Sequence, residues 1–387
     1  MRKCEQLFGE RIFAMVARPT FYRQFVGGET EEELRSTCDR LKEAGIHLMV
    51  CPALEEDEGE SGAEMKYENN AAYITEIGRI MIRAGEERPC LQFKVTALMP
   101  ADLLTKISSS IKNSTISMGE LARNVGDSIE SGSPIRFDWL TDAENTQLNK
   151  GILLLKAFGE EGSNTGLRLL VDAEYTYMNP GISAMALGMM LAFNKERPIV
   201  WNTYQCYLKA AMDNISSEMK IVEEQKRCFG AKLVRGAYLE KERKLAAQRG
   251  YQDPINDTYD DTGKMYDRVA DFMISHIRNV GDRCNIVLGT HNEKSALNAA
   301  SIILQSGIKP ESYQVVFGQI YGMADQISVP LAVAGFKVYK SVPYGPLTEV
   351  LPYLSRRAAE NRVVLAGARR ELDLLKFELK RRFKLSH

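Results

Sequence analysis

Histidine and tryptophan are scarce in this chain, with four of the first and two of the second among 387 residues. With so few imidazoles, and no Cys or acidic cluster at ligand spacing, no metal site is expected. There is no CxxC pair. The seven cysteines (Cys4, Cys38, Cys51, Cys90, Cys206, Cys228 and Cys284) are scattered and odd in number. That pattern argues against a disulfide framework or a zinc module and fits a reducing compartment. No GxGxxG follows the first strand-like run, and neither a Walker motif nor GxSxG occurs. A Rossmann dinucleotide site, a P-loop and a nucleophile elbow are therefore disfavoured. Neither charge sign is in excess, since 50 Lys and Arg stand against 51 Asp and Glu for a net charge of −1. The basic field that would draw nucleic acid is missing. The longest apolar stretch, Gly181 to Phe193, is shorter than the roughly 20 residues a bilayer requires and reads as a buried helix. Glu5 and Glu10 follow the opening Met-Arg-Lys early, so no acid-poor targeting peptide is evident. The sequons at Asn113, Asn214 and Asn256 are read as chance in the absence of a signal peptide.

What is present is a strand–helix rhythm. Eight short runs rich in β-formers recur: Gly45–Ala53, Leu91–Leu98, Leu167–Glu174, Ile199–Gln205, Ala231–Tyr238, Asn285–His291, Tyr313–Ile320 and Phe336–Tyr344. Most are nearly continuous apolar runs, as expected of parallel strands covered on both faces. Helical patterns such as Thr30–Ala44 and Glu293–Ser306 lie between them. Eight such units point to an α/β fold of the (βα)8 barrel type, with a doubly wound sheet as the other arrangement the pattern allows. The runs end in polar or reactive residues: Lys94, Asp172 with Glu174, Asn202 with Gln205, Lys232 with Arg235, Thr290 with His291, Gln319, and Lys340 with Ser341. A barrel builds its active site at those strand ends. The expected division is an N-terminal helical segment over 1–44, a barrel over 45–375 interrupted by a largely helical insertion at 100–166, and a basic tail over 376–387. The acidic, Gly-rich stretch 54–72 reads as a loop or the start of a helix.

Three segments carry candidate chemistry. After the last strand, Tyr353, Arg356, Arg357 and Glu360 fall on one face of a helix. Two guanidiniums beside a carboxylate and a phenol make a carboxylate receptor, because the planar Arg fork matches a carboxylate. An exposed, salt-bridged helix face is the alternative. The run Lys232-Leu-Val-Arg235-Gly236-Ala237-Tyr238 closes a strand with two cations and two small residues. It would let a flat ring approach the backbone and donate to a flavin or a phosphate. Thr290-His291-Asn292 precedes a helix and offers donors to a phosphate or ribose, with a general-base role open to His291.

Taken together, KLVRGAYLEKER (232–243), THNE (290–293), FGQIYGM (317–323) and YLSRRAAEN (353–361) resemble the motif set of the proline dehydrogenase family, most strongly over 167–375. The resemblance implies a distorted (βα)8 TIM-type barrel with FAD at the C-terminal ends of the strands and the final helix over the flavin. By match of motif, Arg356 and Arg357 would clamp the substrate carboxylate, with Lys94 as a third cation. Glu360 and Asp172 would orient these cations, and Tyr353 and Tyr238 would wall the pocket. Gln205, Lys232, Arg235, Gly236, Ala237, Thr290, His291 and Asn292 would hold FAD. Lys232 stands where some members carry Arg near flavin N5. The implied reaction oxidises a cyclic imino acid at its ring C–N bond by hydride transfer to the flavin, with a quinone taking the electrons in a mitochondrial setting.

Ser341 bears on the substrate. Proline-specific members resemble VYKYVPYG, whereas the hydroxyproline branch resembles KS[IV]PYG, as here, and shares the GARRE run at 367–371. Serine opens space and offers a partner for a 4-hydroxyl. The expected substrate is therefore trans-4-hydroxy-L-proline. DPIN (253–256) and WNTYQCYLK (201–209) look closer to the proline branch, so L-proline stays open. A barrel that binds without redox chemistry, and a lyase or aldolase forming a Schiff base on Lys94 or Lys232, are the readings of a different class. The stretch Lys376–Lys384 is basic and amphipathic. It suits either peripheral contact with an anionic membrane or a solvated helix end.

Overall fold

The computed structural model describes residues 15, 17–52, 54, 64–350, 354 and 365–383. Eight parallel strands close into a barrel in sequence order: β1 (Ile46–Pro52), β2 (Cys90–Phe93), β3 (Arg168–Val171), β4 (Val200–Gln205), β5 (Phe229–Val234), β6 (Cys284–Gly289), β7 (Val315–Ile320) and β8 (Val338–Tyr344). Pairing of β1 with β8, from Ile46 opposite Val338 to Pro52 opposite Tyr344, closes the ring and excludes the doubly wound sheet. All eight strand-like runs of the sequence overlap a strand, three of which begin one or two residues earlier than expected. The second is shorter than expected, because Val95–Ala97 turn into a 3-10 helix. The backbone closes on itself there, with the Ala97 N–H donating to Lys94 O at 3.1 Å. Thr96 meanwhile turns its hydroxyl to Glu174 at 2.8 Å. The β-branched pair in KVTAL suggested strand, and this bonding, part of it to a residue 78 positions away, overrode it.

The main helices are α1 (Glu31–Glu43), α2 (Glu64–Arg83), α3 (Ala101–Lys112), α4 (Met118–Ser131), α5 (Asp142–Thr165), α6 (Asn179–Phe193), α7 (Ala211–Glu224), α8 (Leu239–Arg249), α9 (Tyr259–Val280), α10 (Glu293–Ser306), α11 (Asp325–Val333) and α12 (Leu365–Arg382). Local chemistry starts several of them. Thr141 and Glu144 form a reciprocal capping box at α5, and Thr30, Ser117, Thr258 and Asn292 cap α1, α4, α9 and α10 with side-chain oxygens.

The segment 100–166 thus consists of α3, α4 and α5, and these explain the apolar run Gly181–Phe193. That run is α6, and it is buried almost all round. Small residues set the close approach. A Cβ on Gly188 would lie 2.4 Å from Val125 of α4, and one on Gly181 would lie 2.7 Å from the Leu104 carbonyl of α3. The helix is apolar on every side because protein, rather than lipid, covers every side. Among the described residues no helix is long and apolar enough to cross a membrane.

On the other flank, Ala17, Tyr22 and Val26 pack against Leu347, Val350 and Leu354. The Tyr22 hydroxyl donates to the Gly345 carbonyl at 2.8 Å. The segment before α1 therefore braces the chain that leaves β8.

One acid is sealed into the helical shell. Glu218 of α7 accepts from the Tyr204 hydroxyl at 2.7 Å and from the Asn202 amide at 3.1 Å, both on the outer face of β4. Burial pushes its carboxyl up to about 7 from an ordinary 4.5. The native protein then holds a proton that the unfolded chain releases above its own pKa, so stability falls as pH rises from about 4.5 through about 7. Glu218→Gln should flatten this decline and gain up to roughly 3 kcal/mol at pH 8. Urea midpoints of both proteins across that range check it, and identical pH profiles would contradict the assignment.

Candidate functional site

Side chains alternate across a strand, so every second residue of each β-strand faces the barrel interior. One interior layer is apolar and consists of Met49, Cys90, Leu170, Trp201, Val287, Val316 and Tyr339. Two residues further along β2, β8 and the end of β3, toward the C-terminal ends, the same alternation brings in Gln92, Ser341 and Asp172. On β5 it brings in Lys232, two residues after Gly230, whose missing Cβ makes room for the Trp201 ring. The apolar layer thus plugs the barrel, and a polar layer lies on top of it.

Lys232 is the centre of that polar layer. Its side chain is 8% exposed, and its ammonium contacts Asp172 on the far side of β4. It also donates to Gln92 Oε1 at 2.7 Å. β5 neighbours only β4 and β6, so bonds from Lys232 to β2 and the end of β3 pass through the barrel interior. The Gln92 amide nitrogen then donates to Ser341 Oγ at 2.7 Å. A continuous polar chain, Asp172–Lys232–Gln92–Ser341, therefore crosses the mouth. The sequence singled out three of its members and missed Gln92. A signal existed, since Gln92 is the polar residue in a strand of otherwise apolar side chains and shares the face of Lys94.

Lys94 caps the 3-10 turn after β2 and donates to the Tyr238 hydroxyl at 3.0 Å. Asp172 was expected to orient the carboxylate-binding cations; the structure pairs it with Lys232, on the cofactor side of the expected site. Tyr238 packs against Tyr175 with ring centroids 4.3 Å apart, and Tyr175 stacks on Tyr177 at 5.3 Å. Lys241 sits 3.7 Å from the Tyr175 ring centroid. This aromatic wall was legible only at Tyr238.

The remaining expected residues ring the strand ends. Gln205 accepts from the Asn179 amide at 2.9 Å and donates to the Glu174 carbonyl at 3.2 Å. Arg235 lies between the Tyr259 and Tyr266 rings, with its guanidinium carbon 5.4 and 5.2 Å from their centroids. It donates to Thr290 Oγ1 at 3.3 Å and to Ser295 Oγ at 2.9 Å. Its buried Nη1 has no hydrogen-bond partner among the described residues. Gly236 has φ +135°, and a Cβ there would lie 2.4 Å from the Tyr207 ring. A ring of the protein's own, Tyr207, thus approaches Gly236 on its Cβ side, and Ala237 follows in the same turn.

Asn292 caps α10 by accepting from the Ser295 N–H at 2.9 Å, and Thr290 Oγ1 accepts from the Asn292 N–H at 3.1 Å. His291 Nε2 accepts from the Ile320 N–H at 2.9 Å. That bond occupies the lone pair a general base would use, so the structure offers His291 as a positioned ring rather than a base. Burial disfavours the thiolate at three of the thiols, pushing Cys38 and Cys90 up to about 11 and Cys206 up to about 12. Tyr353, Arg356, Arg357 and Glu360 lie outside the described residues.

The family model for proline dehydrogenase matches residues 34–370. A hydroxyproline dehydrogenase of Xenopus laevis is 42% identical over 378 residues, covering 97% of this chain and 81% of that protein. The mitochondrial proline dehydrogenase 1 of Homo sapiens is 45% identical over 244 residues, covering 63% of this chain and 40% of that protein. Among solved structures, proline utilization A from Bdellovibrio bacteriovorus inactivated by N-propargylglycine superposes with a TM-score of 0.68 at 16% identity, covering 88% of this chain and 32% of that one.

The Asp172–Lys232 pair carries a testable energetic claim. Removing one partner of a buried pair strands the other charge, at a cost of roughly 3–5 kcal/mol. Because the barrel mouth admits water to Asp172, whose side chain is 16% exposed, Asp172→Ala should cost toward the lower end. The double variant Asp172→Leu with Lys232→Met should be more stable than Asp172→Ala alone. Denaturant unfolding of the three proteins measures this, and an unchanged midpoint for Asp172→Ala would show the pair to be energetically idle.

Proposed function

The chain belongs to the proline dehydrogenase family, and from that premise we propose that it oxidises trans-4-hydroxy-L-proline at the ring C–N bond to 1-pyrroline-3-hydroxy-5-carboxylate, with FAD as its cofactor. It is an oxidoreductase acting on hydroxyproline or proline. The observation that carries the preference for hydroxyproline is Ser341, whose hydroxyl stands in the interior polar layer, 2.7 Å from the Gln92 amide. A tyrosine there would fill the space a 4-hydroxyl needs, and serine leaves both room and a hydrogen-bond partner.

The strand ends fit a flavin nucleotide. Arg235 keeps a buried N–H without a partner among the described residues, which suits an anionic or carbonyl-rich ligand. Gln205, Lys232, Arg235, Gly236, Ala237, Thr290, His291 and Asn292 would hold FAD. When bound, the flavin supplies the hydride acceptor at N5. This chain's own contribution is positioning. Lys232, fixed by Asp172 and Gln92, presents an ammonium at the polar layer. Lys94 and Tyr238 put a cation and a phenol beside it. By match of motif, Arg356 and Arg357 would clamp the substrate carboxylate, with Glu360 orienting them and Tyr353 walling the pocket. An amine that binds unprotonated requires no protein base, and none is assigned.

We also read 1–44, 45–375 with its insertion at 100–166, and 376–387 as the chain's segments. A quinone would serve as electron acceptor at a mitochondrial inner membrane. The α12 helix supports peripheral contact: Leu372, Leu375 and Leu379 are exposed on it, and Phe383 just after it, beside Lys376, Lys380 and Arg382.

L-proline oxidation to 1-pyrroline-5-carboxylate is the second reading, favoured by the 45% identity to human proline dehydrogenase 1 over 244 residues. Steady-state kinetics of the yellow holoenzyme with both imino acids and a soluble quinone decide between the two. Ser341→Tyr should raise the proline-to-hydroxyproline ratio of kcat/KM about tenfold or more, the equivalent of one hydroxyl left unpaired. Arg356→Gln should raise KM for both substrates. A colourless protein that takes up no FAD would favour a barrel without redox chemistry, and an unchanged ratio would remove Ser341 from specificity.

A further inference from the structure

Gln92 is 4% exposed and touches the polar chain at two points. Lys232 Nζ lies 2.7 Å from its side-chain oxygen, and its side-chain nitrogen lies 2.7 Å from Ser341 Oγ. An ammonium has protons to give and no lone pair with which to accept. The oxygen of the Gln92 amide must therefore face Lys232, and its NH2 must face Ser341. Asp172 fixes the same ammonium from the other side, so the polarity of the whole chain is set by one salt bridge.

The consequence falls on Ser341. Its oxygen receives a proton from Gln92, so its own O–H is not the one shared between them. Among the described residues no acceptor takes that O–H; the bond from Gln92 is the one its side chain makes. A serine hydroxyl left to itself rotates and serves as donor or acceptor equally well. Here one of its lone pairs is occupied, and its proton points elsewhere.

We propose that Gln92 is a positioning residue for substrate choice, which turns Ser341 into a hydrogen-bond donor toward the oxygen on C4 of the imino-acid ring. The inference rests on the reading of Ser341 given above. The site then recognises an oxygen at C4 as an acceptor. A 4-keto group, which accepts and cannot donate, satisfies it as a 4-hydroxyl does. Unsubstituted proline gains nothing from the arrangement and leaves the Ser341 O–H to water.

Three variants of the flavin-loaded full chain test this, each first matched to wild type in flavin content and thermal midpoint. Gln92→Met keeps the volume and removes both hydrogen bonds. It should lower the hydroxyproline-to-proline ratio of kcat/KM about tenfold, the worth of one hydrogen bond, on top of any loss common to both substrates from freeing Lys232 of one partner. In a Ser341→Ala background the same substitution should shift that ratio no further, because the group it orients is gone. Gln92→Glu accepts from Lys232 and from Ser341 alike, which reverses the serine. It should weaken competitive inhibition by 4-oxoproline about tenfold, yet keep 4-hydroxyproline, whose hydroxyl can donate instead.

Equal losses for both substrates in Gln92→Met would make Gln92 merely structural and overturn the proposal. So would an effect of Gln92→Met on the ratio that survives intact in the Ser341→Ala background. The two levels separate cleanly. If Ser341→Ala shifts the substrate ratio and Gln92→Met does not, the role of Gln92 fails and the substrate reading stands. If Ser341→Ala leaves the ratio unchanged, both fail together.

Discussion

An ammonium inside a closed barrel must be neutralised where it stands, and that requirement organises the mouth of this protein. Lys232 emerges from β5 into a space whose floor is a layer of apolar side chains. An isolated charge there would lose much of its hydration. Asp172 supplies the opposite charge, and Gln92 supplies a neutral acceptor. Once those partners are fixed, the amide of Gln92 has one permitted orientation, and Ser341 inherits its polarity from it. A single desolvated cation thus sets the direction of hydrogen bonds on four different strands or strand ends. The same logic explains why the layer below is free of charge. Met49, Leu170, Trp201 and Val316 keep water out from beneath, so the polar chain has no competing solvent on that side.

The outer shell solves a different problem. A barrel of this kind needs helices with one apolar stripe, yet α6 is apolar all round. Helices α3, α4 and α5 answer that need. They pack against the face of α6 that a simple barrel would leave in water, with Gly181 and Gly188 letting the helices approach closely. These three helices therefore have a structural role: they are the second wall of a buried helix. The buried acid on the neighbouring α7, Glu218, is tolerated because burial favours its neutral form and its carboxyl accepts from Tyr204 and Asn202 of β4.

Departures from expectation follow from contacts that no short stretch of sequence encodes. The β-rich run after Phe93 turned into a 3-10 helix because Thr96 and Asn70 bind groups from distant segments. On the Cβ side of Gly236 the chain brings in Tyr207 from beyond the end of β4. His291 is held through its acceptor nitrogen by the backbone of β7, a partner 29 residues away.

The sequence by itself determined the eightfold alternation of strand and helix, the placement of reactive side chains at strand ends, and the family, because these depend on local periodicity and on motifs that are contiguous in the chain. It also marked Lys232, Asp172 and Ser341 as residues of the site. Which of them touch was decided only when the ring closed. Asp172, Lys232, Gln92 and Ser341 are separated by up to 249 positions, and they meet because every strand sends alternate side chains to one axis. The partner of each charge, and hence the direction of each proton, is a property of that closure: electrostatic pairing acts over a few ångströms of space and is indifferent to distance along the chain.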